Sequence, residues 1–156
     1  MNPRRVISVA SLISGLVAFY LHLWKIGKVG ALACGMGEHG CEYIQMSPAY
    51  GYFLGFDVAL IGTVGYALIF AVATIGGLDR FHNARWPTTL LMLLIWPAVA
   101  FTIRLKYYEF IVLQGFCVWC LVSALTIIVC AVCVTMDAKR LRAHQKILSF
   151  RSKSST

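Results

Sequence analysis

Four stretches of the chain carry no Asp, Glu, Lys or Arg: Val6 to Trp24, Val58 to Leu78, Trp86 to Ile103 and Phe110 to Met136. A hydrocarbon core about 30 Å thick is crossed by about 20 apolar residues in a helix, so each stretch predicts a membrane span. A fifth uncharged run, Tyr43 to Phe56, contains Pro48, Gly51 and Gly55. It is too short to cross and predicts a re-entrant or interfacial half-helix. The expected fold class is therefore all-α and integral to the membrane. It is a four-transmembrane-helix bundle over residues 1–138, with a cysteine-bearing outer loop and half-helix over 25–57. The spans fall at about 6–24, 58–78, 86–103 and 110–136, joined by a short outer connection from Arg104 to Glu109. Residues 139–156 form a basic cytoplasmic tail, read as a frayed helix or loose end. The first stretch is too long for a secretory signal, and no small-x-small cleavage site follows it.

Composition agrees with this pattern. Of 156 residues, 60% are hydrophobic and 13% charged, against about 45–50% and about 25% in a soluble domain. That excludes a soluble globule and a disordered chain. The net charge of +8 is not gathered into one patch, so no nucleic-acid partner is expected. It serves instead as an orientation signal, because cytoplasmic loops accumulate Lys and Arg. Arg4, Arg5, Arg80, Arg85 and six residues of the tail lie on one side, and Lys25, Lys28, Arg104 and Lys106 on the other. Both termini are then cytoplasmic. Within the spans, Pro97 predicts a kink that opens room for a ligand or is merely tolerated, and Gly51, Gly55, Gly62 and Gly65 predict close backbone packing.

The candidate chemistry lies in the cysteines. Six of them form three pairs: Cys34 with Cys41 in a glycine-rich loop, Cys117 with Cys120, and Cys130 with Cys133. Counted along a helix from Phe110, Cys117 lies about 10 Å deep, Cys120 about 15 Å, and Cys130 about 30 Å away at the cytoplasmic face. The last pair faces a reducing compartment and reads as packing. A flexible outer loop with two thiols can instead reach the Cys117–Cys120 pair, and thiol–disulfide exchange between two such pairs makes a relay. Cys117, nearer solvent, is the attacked sulfur. Cys120, one turn deeper, is placed to pass electrons to something dissolved in the membrane. Two alternatives remain open at this point: metal handling by Cys34, His39 and Cys41, which lacks an obvious fourth ligand, and a non-catalytic subunit whose cysteines pack or staple a loop.

In order, the chain runs through one span, the two-cysteine loop, Cys-Glu-Tyr-Ile-Gln-Met-Ser-Pro from Cys41 to Pro48, and Gly-Phe-Asp-Val-Ala-Leu-Ile-Gly from Gly55 to Gly62. It ends with Phe-Cys-Val-Trp-Cys from Phe116 to Cys120. This arrangement resembles the vitamin K epoxide reductase family, particularly its bacterial members, over roughly Val6 to Met136. The resemblance implies a helical bundle around a quinone, with a lid made by the cysteine loop and half-helix. It implies Cys117 and Cys120 as the pair beside the quinone, Cys34 and Cys41 as the loop shuttle pair, and Ser47 as the polar residue assisting the cysteine chemistry. A plain reading of Ser47, before Pro48, is a helix N-cap. Asp57 stands where bacterial relatives often have proline. It is read as a contact to the quinone head or a loop lysine, or as an acid ending a loop at the interface. Leu121, Val122, Ser123 and Ala124 replace the Thr-Tyr-Ala stretch of animal members, which argues against vitamin K epoxide as substrate.

The resulting expectation is a membrane oxidoreductase that oxidises a thioredoxin-fold (DsbA-like) partner in trans and reduces ubiquinone or menaquinone in a prokaryotic inner membrane. The partner in trans follows from a chain too short to hold the thioredoxin-like domain fused in many bacterial relatives. A DsbB-type reductase would use the same chemistry, but it needs a second cysteine pair in a long second outer loop.

Overall fold

The computed structural model describes residues 3–30, 41–81 and 84–153, with the side chains of 49, 79 and 148–153 left aside. Helix α1 spans Pro3–Lys25, α4 Val58–Gly76, α5 Trp86–Tyr107 and α6 Val118–Lys153. Between α1 and α4 lie two short helices, α2 (Cys41–Met46) and α3 (Pro48–Gly51). A two-residue hairpin follows, of β1 (Tyr52–Phe53) and β2 (Phe56–Asp57). Four helical segments are long and apolar enough to cross a membrane: Pro3–Lys25, Val58–Gly76, Trp86–Val112 and Val118–Ile147. Large apolar side chains on their outer faces are exposed, Leu16, Leu93 and Ile128 among them, which suits lipid as the surrounding solvent.

The bundle is held by small residues and by polar groups that satisfy one another inside it. The α1 surface packs most extensively on α4, where a Cβ at Gly15 would meet Tyr66 Cβ at 3.3 Å and one at Gly62 would meet Ala18 Cβ at 3.6 Å. Such close approach is how apolar helices associate when burial from water no longer drives them. Gly55 and Gly65 depart from the packing expectation, because a Cβ at either would meet nothing within 4 Å. Ser14 on α1 hydrogen-bonds Thr126 on α6 at 2.6 Å, and Tyr66 on α4 bonds the Ser123 hydroxyl at 2.7 Å. Cys130 is fully buried among Ile127, Val134 and Ile95, with Cys133 packed against that cluster.

Several elements differ from the expectation. The uncharged run 43–56 is no single half-helix. Pro48 starts a new helix after Ser47, and the chain then reverses through Leu54 (φ 52°) and Gly55 (φ 84°), the two positive-φ residues that a two-residue hairpin turn requires. The apolar stretch beginning at Phe110 is not the start of the fourth span either. The third helix runs on to Tyr107 and continues as a wider turn over Tyr108–Val112. Gln114 at φ 46° then redirects the chain, and α6 begins only at Val118. The second connection is thus 113–117 rather than Arg104 to Glu109. Cys117 lies at the start of a helix instead of two turns inside one. At the other end the tail is an extension of α6 to Lys153.

The largest departure concerns Arg4. Read from sequence as an orientation charge, it is 1% exposed and joins four parts of the chain at the end of the bundle away from the cysteine loop. Its Nε donates to Asp137 Oδ2 at 2.8 Å, its Nη1 to the carbonyls of Gly76 and Phe81, and its Nη2 to the Ala84 carbonyl and Thr88 Oγ1. Thr88 in turn donates to the same Asp137 oxygen. Removing one partner of such a buried pair strands the other charge, which costs about 3–5 kcal/mol. Arg4→Met is therefore expected to lower the thermal midpoint of the protein in detergent sharply. Arg4→Met with Asp137→Leu should recover part of the loss, and equal midpoints for wild type and Arg4→Met would remove this cluster from the account of stability.

Candidate functional site

The cysteine end of the bundle is built around the first turn of α6. Cys117 occupies the position just before the helix, where its Sγ accepts the Cys120 amide at 3.4 Å and its carbonyl accepts the Leu121 amide at 3.0 Å. A sulfur there sits on free amides at the positive end of a helix, which favours a thiolate. One turn on, the Cys120 Sγ is 2.7 Å from the Cys117 Sγ, so a disulfide between them needs only a small approach. Both are free thiols here, at 0% and 8% exposure.

Three residues absent from the sequence reading surround this pair. Glu109 is fully buried. Its Oε1 accepts the Cys117 amide at 2.9 Å, and its Oε2 accepts from Lys106 Nζ at 2.6 Å. It thereby fixes the backbone that carries Cys117, through an ion pair within the same turn. Gln45 donates from Nε2 to Cys120 Sγ at 3.3 Å. Tyr50 is buried and hydrogen-bonds Cys120. Burial first, then the charge and hydrogen bond of Cys120, push its phenol above the ordinary value of 10.0, so its hydroxyl keeps its proton and acts as a donor. An acid eight positions before the first cysteine of a Cys-x-x-Cys, beside an apolar stretch, was the available signal for Glu109. Gln45 and Tyr50 gave none, because their role depends on how α2 and α3 fold back.

That fold-back is sterically specified. A Cβ at Gly51 would collide with the Gln45 carbonyl oxygen, and one at Gly115 would lie 2.9 Å from Ile44 Cδ1. The first contact closes α3 onto α2, and the second seats α2 on the 113–117 connection. Cys41, Ile44 and Tyr50 consequently share one buried cluster with Cys117 and Cys120. Cys41 is disulfide-bonded; its neighbours in the loop, Cys34 and His39, lie outside the described residues.

The remaining sequence candidates sit at the edge of this cluster. Ser47 occupies the N-cap position of α3, half-buried, with no side-chain capping bond; its carbonyl accepts the Gly51 amide at 2.7 Å. Asp57 caps α4 by accepting the Ala59 amide, and it also pairs with Lys25 Nζ at 2.7 Å and His22 Nδ1 at 2.6 Å. Its lysine partner is the last residue of α1, and Asp57 itself stands where the hairpin ends and α4 begins. Lys25 further donates to the Gly51 carbonyl, so the end of α1 latches the hairpin and α3 together.

Beneath the cluster lies a cavity of about 390 Å³ between the four long helices. Its wall is mostly apolar, from Leu21, Ile61, Ile69, Phe101 and Ile127 among others, with Gly62, Gly65 and Pro97 providing space. The cysteine it meets is Cys120; Gln45, Tyr50, Tyr66, Thr102, Lys106 and Ser123 are among its other polar lining residues, while neither Ser47 nor Asp57 reaches it. A flat apolar molecule with a few polar atoms fits such a lining.

A sequence model of the vitamin K epoxide reductase family matches residues 5–135 of the chain, from the first turn of α1 into the middle of α6.

Two predictions follow from the latch. Burial opposes ionisation of Asp57, but the hydrogen bonds from Lys25, His22 and the Ala59 amide outweigh it and hold the carboxyl below its ordinary 3.8. A carboxyl lowered in the fold stabilises fully above the unfolded value and loses that contribution as pH falls through the folded one. The midpoint difference between wild type and Asp57→Asn should therefore persist at about pH 5 and shrink below about pH 3.8; a difference that grew on acidification would contradict the assignment. Gly51→Ala, which drives a methyl into the Gln45 carbonyl, should detach the lid and accelerate alkylation of Cys117 by a water-soluble maleimide, by about tenfold or more.

Proposed function

The chain belongs to the vitamin K epoxide reductase family, and on that premise we propose that it oxidises the dithiol of a thioredoxin-fold (DsbA-like) partner and reduces a membrane quinone. The family is one of membrane thiol–disulfide oxidoreductases that use quinone-type electron carriers. The observation that carries the specific reading is the position of Cys120, which lines the apolar cavity while Cys117 faces the cluster that also holds the disulfide-bonded Cys41. Cys120 thus meets both the cavity and, through Gln45 and Tyr50, the lid, whereas Cys117 lies in the shared cluster away from the cavity wall.

A partner thiolate attacks the Cys34–Cys41 disulfide and leaves as the oxidised partner. The loop dithiol then attacks Cys117 of the Cys117–Cys120 disulfide, and the electrons come to rest on the helix pair. Cys120 passes them into the cavity as the Cys117–Cys120 disulfide re-forms. In sum, one partner dithiol becomes a disulfide and one quinone becomes a quinol, with two electrons and two protons transferred. The direction is downhill because strong thiol oxidants, at about −120 mV in the periplasmic type case, are regenerated through quinone rather than a thiol buffer. Bound quinone supplies the two-electron acceptor. The protein contributes an apolar wall that excludes water, the helix terminus that stabilises a Cys117 thiolate, and the Glu109 carboxylate that holds the Cys117 backbone. Ser47, at the junction of α2 and α3, and Asp57, through its latch to Lys25, position the lid over this chemistry.

The charge asymmetry supports both termini in the cytoplasm and the cysteine lid on the oxidising side, and the resemblance to bacterial members supports a prokaryotic inner membrane. Reconstituted protein supplied with a reduced DsbA-like protein and a short-chain ubiquinone or menaquinone tests the proposal. Cys117→Ala and Cys120→Ala should each lower turnover by at least about a thousandfold, whereas Cys130→Ala and Cys133→Ala should retain near wild-type rates. Full turnover in Cys120→Ala would sink the relay. In cells, a Cys34→Ser or Cys41→Ser variant should accumulate a mixed disulfide with a thioredoxin-fold protein, separable on non-reducing gels.

A further inference from the structure

The Gln45 side chain is 4% exposed, and only one end of its amide is satisfied: Nε2 donates to Cys120 Sγ at 3.3 Å, while Oε1 is the buried side-chain oxygen left without a partner among the described residues. An orphaned amide oxygen in a low-dielectric interior costs about 1–3 kcal/mol, and it persists here on a side chain that lines the same cavity as Cys120. Cys41 and Gln45 are four residues apart on α2, one turn along the same face of the helix. The amide is thus attached by a single turn to the loop disulfide on one side and hydrogen-bonded to the helix pair on the other.

The chemistry of the two sulfur states determines what the free oxygen can take. Once the Cys117–Cys120 disulfide has formed, Cys120 carries no hydrogen and can only accept, so the amide must turn Nε2 towards it and leave Oε1 for another group. In the same step a quinone, which carries only acceptors, becomes a quinol with two hydroxyl donors. The acceptor is already unmatched in the dithiol form and stays so in the disulfide form, and the step that forms the disulfide supplies the matching donor. On the quinone reading given above, we propose that Gln45 is a specificity-determining residue of the acceptor site, whose Oε1 accepts a hydroxyl hydrogen of the quinol head group while Nε2 holds the Cys120 sulfur. A pocket that hydrogen-bonds a hydroxyl discriminates strongly against a ligand that lacks it, because its own polar atom is then left buried and unpaired.

The test compares ligands that differ only in that donor. Full-length protein in detergent, in its Cys117–Cys120 disulfide form, is titrated calorimetrically with a short-chain p-benzoquinol and with its di-O-methyl ether, using wild type, Gln45→Met and Gln45→Leu. Because the ether's added bulk is common to all three proteins, the change in the affinity ratio isolates the hydroxyl contact. The ratio in favour of the quinol should be about tenfold or more higher in wild type than in either variant, the equivalent of one satisfied buried acceptor. Monodispersity and thermal midpoint identify which variant is folded, and either one suffices. An unchanged ratio in a folded variant overturns the role of Gln45 and leaves the quinone reading standing. Failure of wild type to bind either probe overturns the quinone reading and this proposal with it.

Discussion

The backbone contact between Gly51 and the Gln45 carbonyl brings α3 against α2 with no room for a side chain, and most of the site depends on it. With that contact in place Tyr50 turns onto Cys120, Ile44 seats on Gly115, and Cys41 enters the cluster that contains the helix pair. Thiol exchange depends on access of one sulfur to another, so in the proposed relay this contact sets where Cys41 sits relative to Cys117.

Around that contact the polar groups of the protein are arranged in closed sets. Arg4, Thr88 and Asp137 satisfy one another at one end of the bundle, Lys25, His22 and Asp57 at the base of the lid, and Lys106 and Glu109 beside Cys117. Lipid offers no hydrogen bonds, so a charge near the hydrocarbon must be paired within the protein. The three sets tie different pieces together. The first joins α1 to the α4–α5 turn, α5 and α6; the second joins α1 to the hairpin and α4; the third ties the end of α5 to the residue that starts α6. The cavity lies between these fixed points, and Gln45 Oε1 stands out against them as a buried acceptor left open.

Much of the architecture was legible along the chain because the bilayer imposes a length scale. Runs free of charge over Val6 to Trp24, Val58 to Leu78 and Trp86 to Ile103 each contain the body of a long helix. Periodicity was less informative where a run holds more than one element. From Phe110 to Cys117 the chain is as apolar as a span, yet Gln114 takes a left-handed conformation there and Gly115 faces Ile44. Hydropathy reports preference for lipid and does not distinguish a helix from an apolar connection packed under a lid. Arg4 and Arg5 likewise look alike in sequence, but one is fully enclosed and the other exposed.

The sequence by itself determined the membrane class, the four long apolar helices, the family and the presence of paired cysteines, because each of these rests on composition or on local spacing. Tertiary structure decided which groups meet. It put Cys117 at a helix start, gave Cys120 rather than Cys117 the cavity wall, turned Asp57 to Lys25 and His22, and brought Glu109, Tyr50 and Gln45 to the cysteine pair. The physical reason is that these roles arise from contacts between residues as many as 75 positions apart. Such contacts depend on where glycines allow backbones to touch, information that the alternation of polar and apolar positions does not carry.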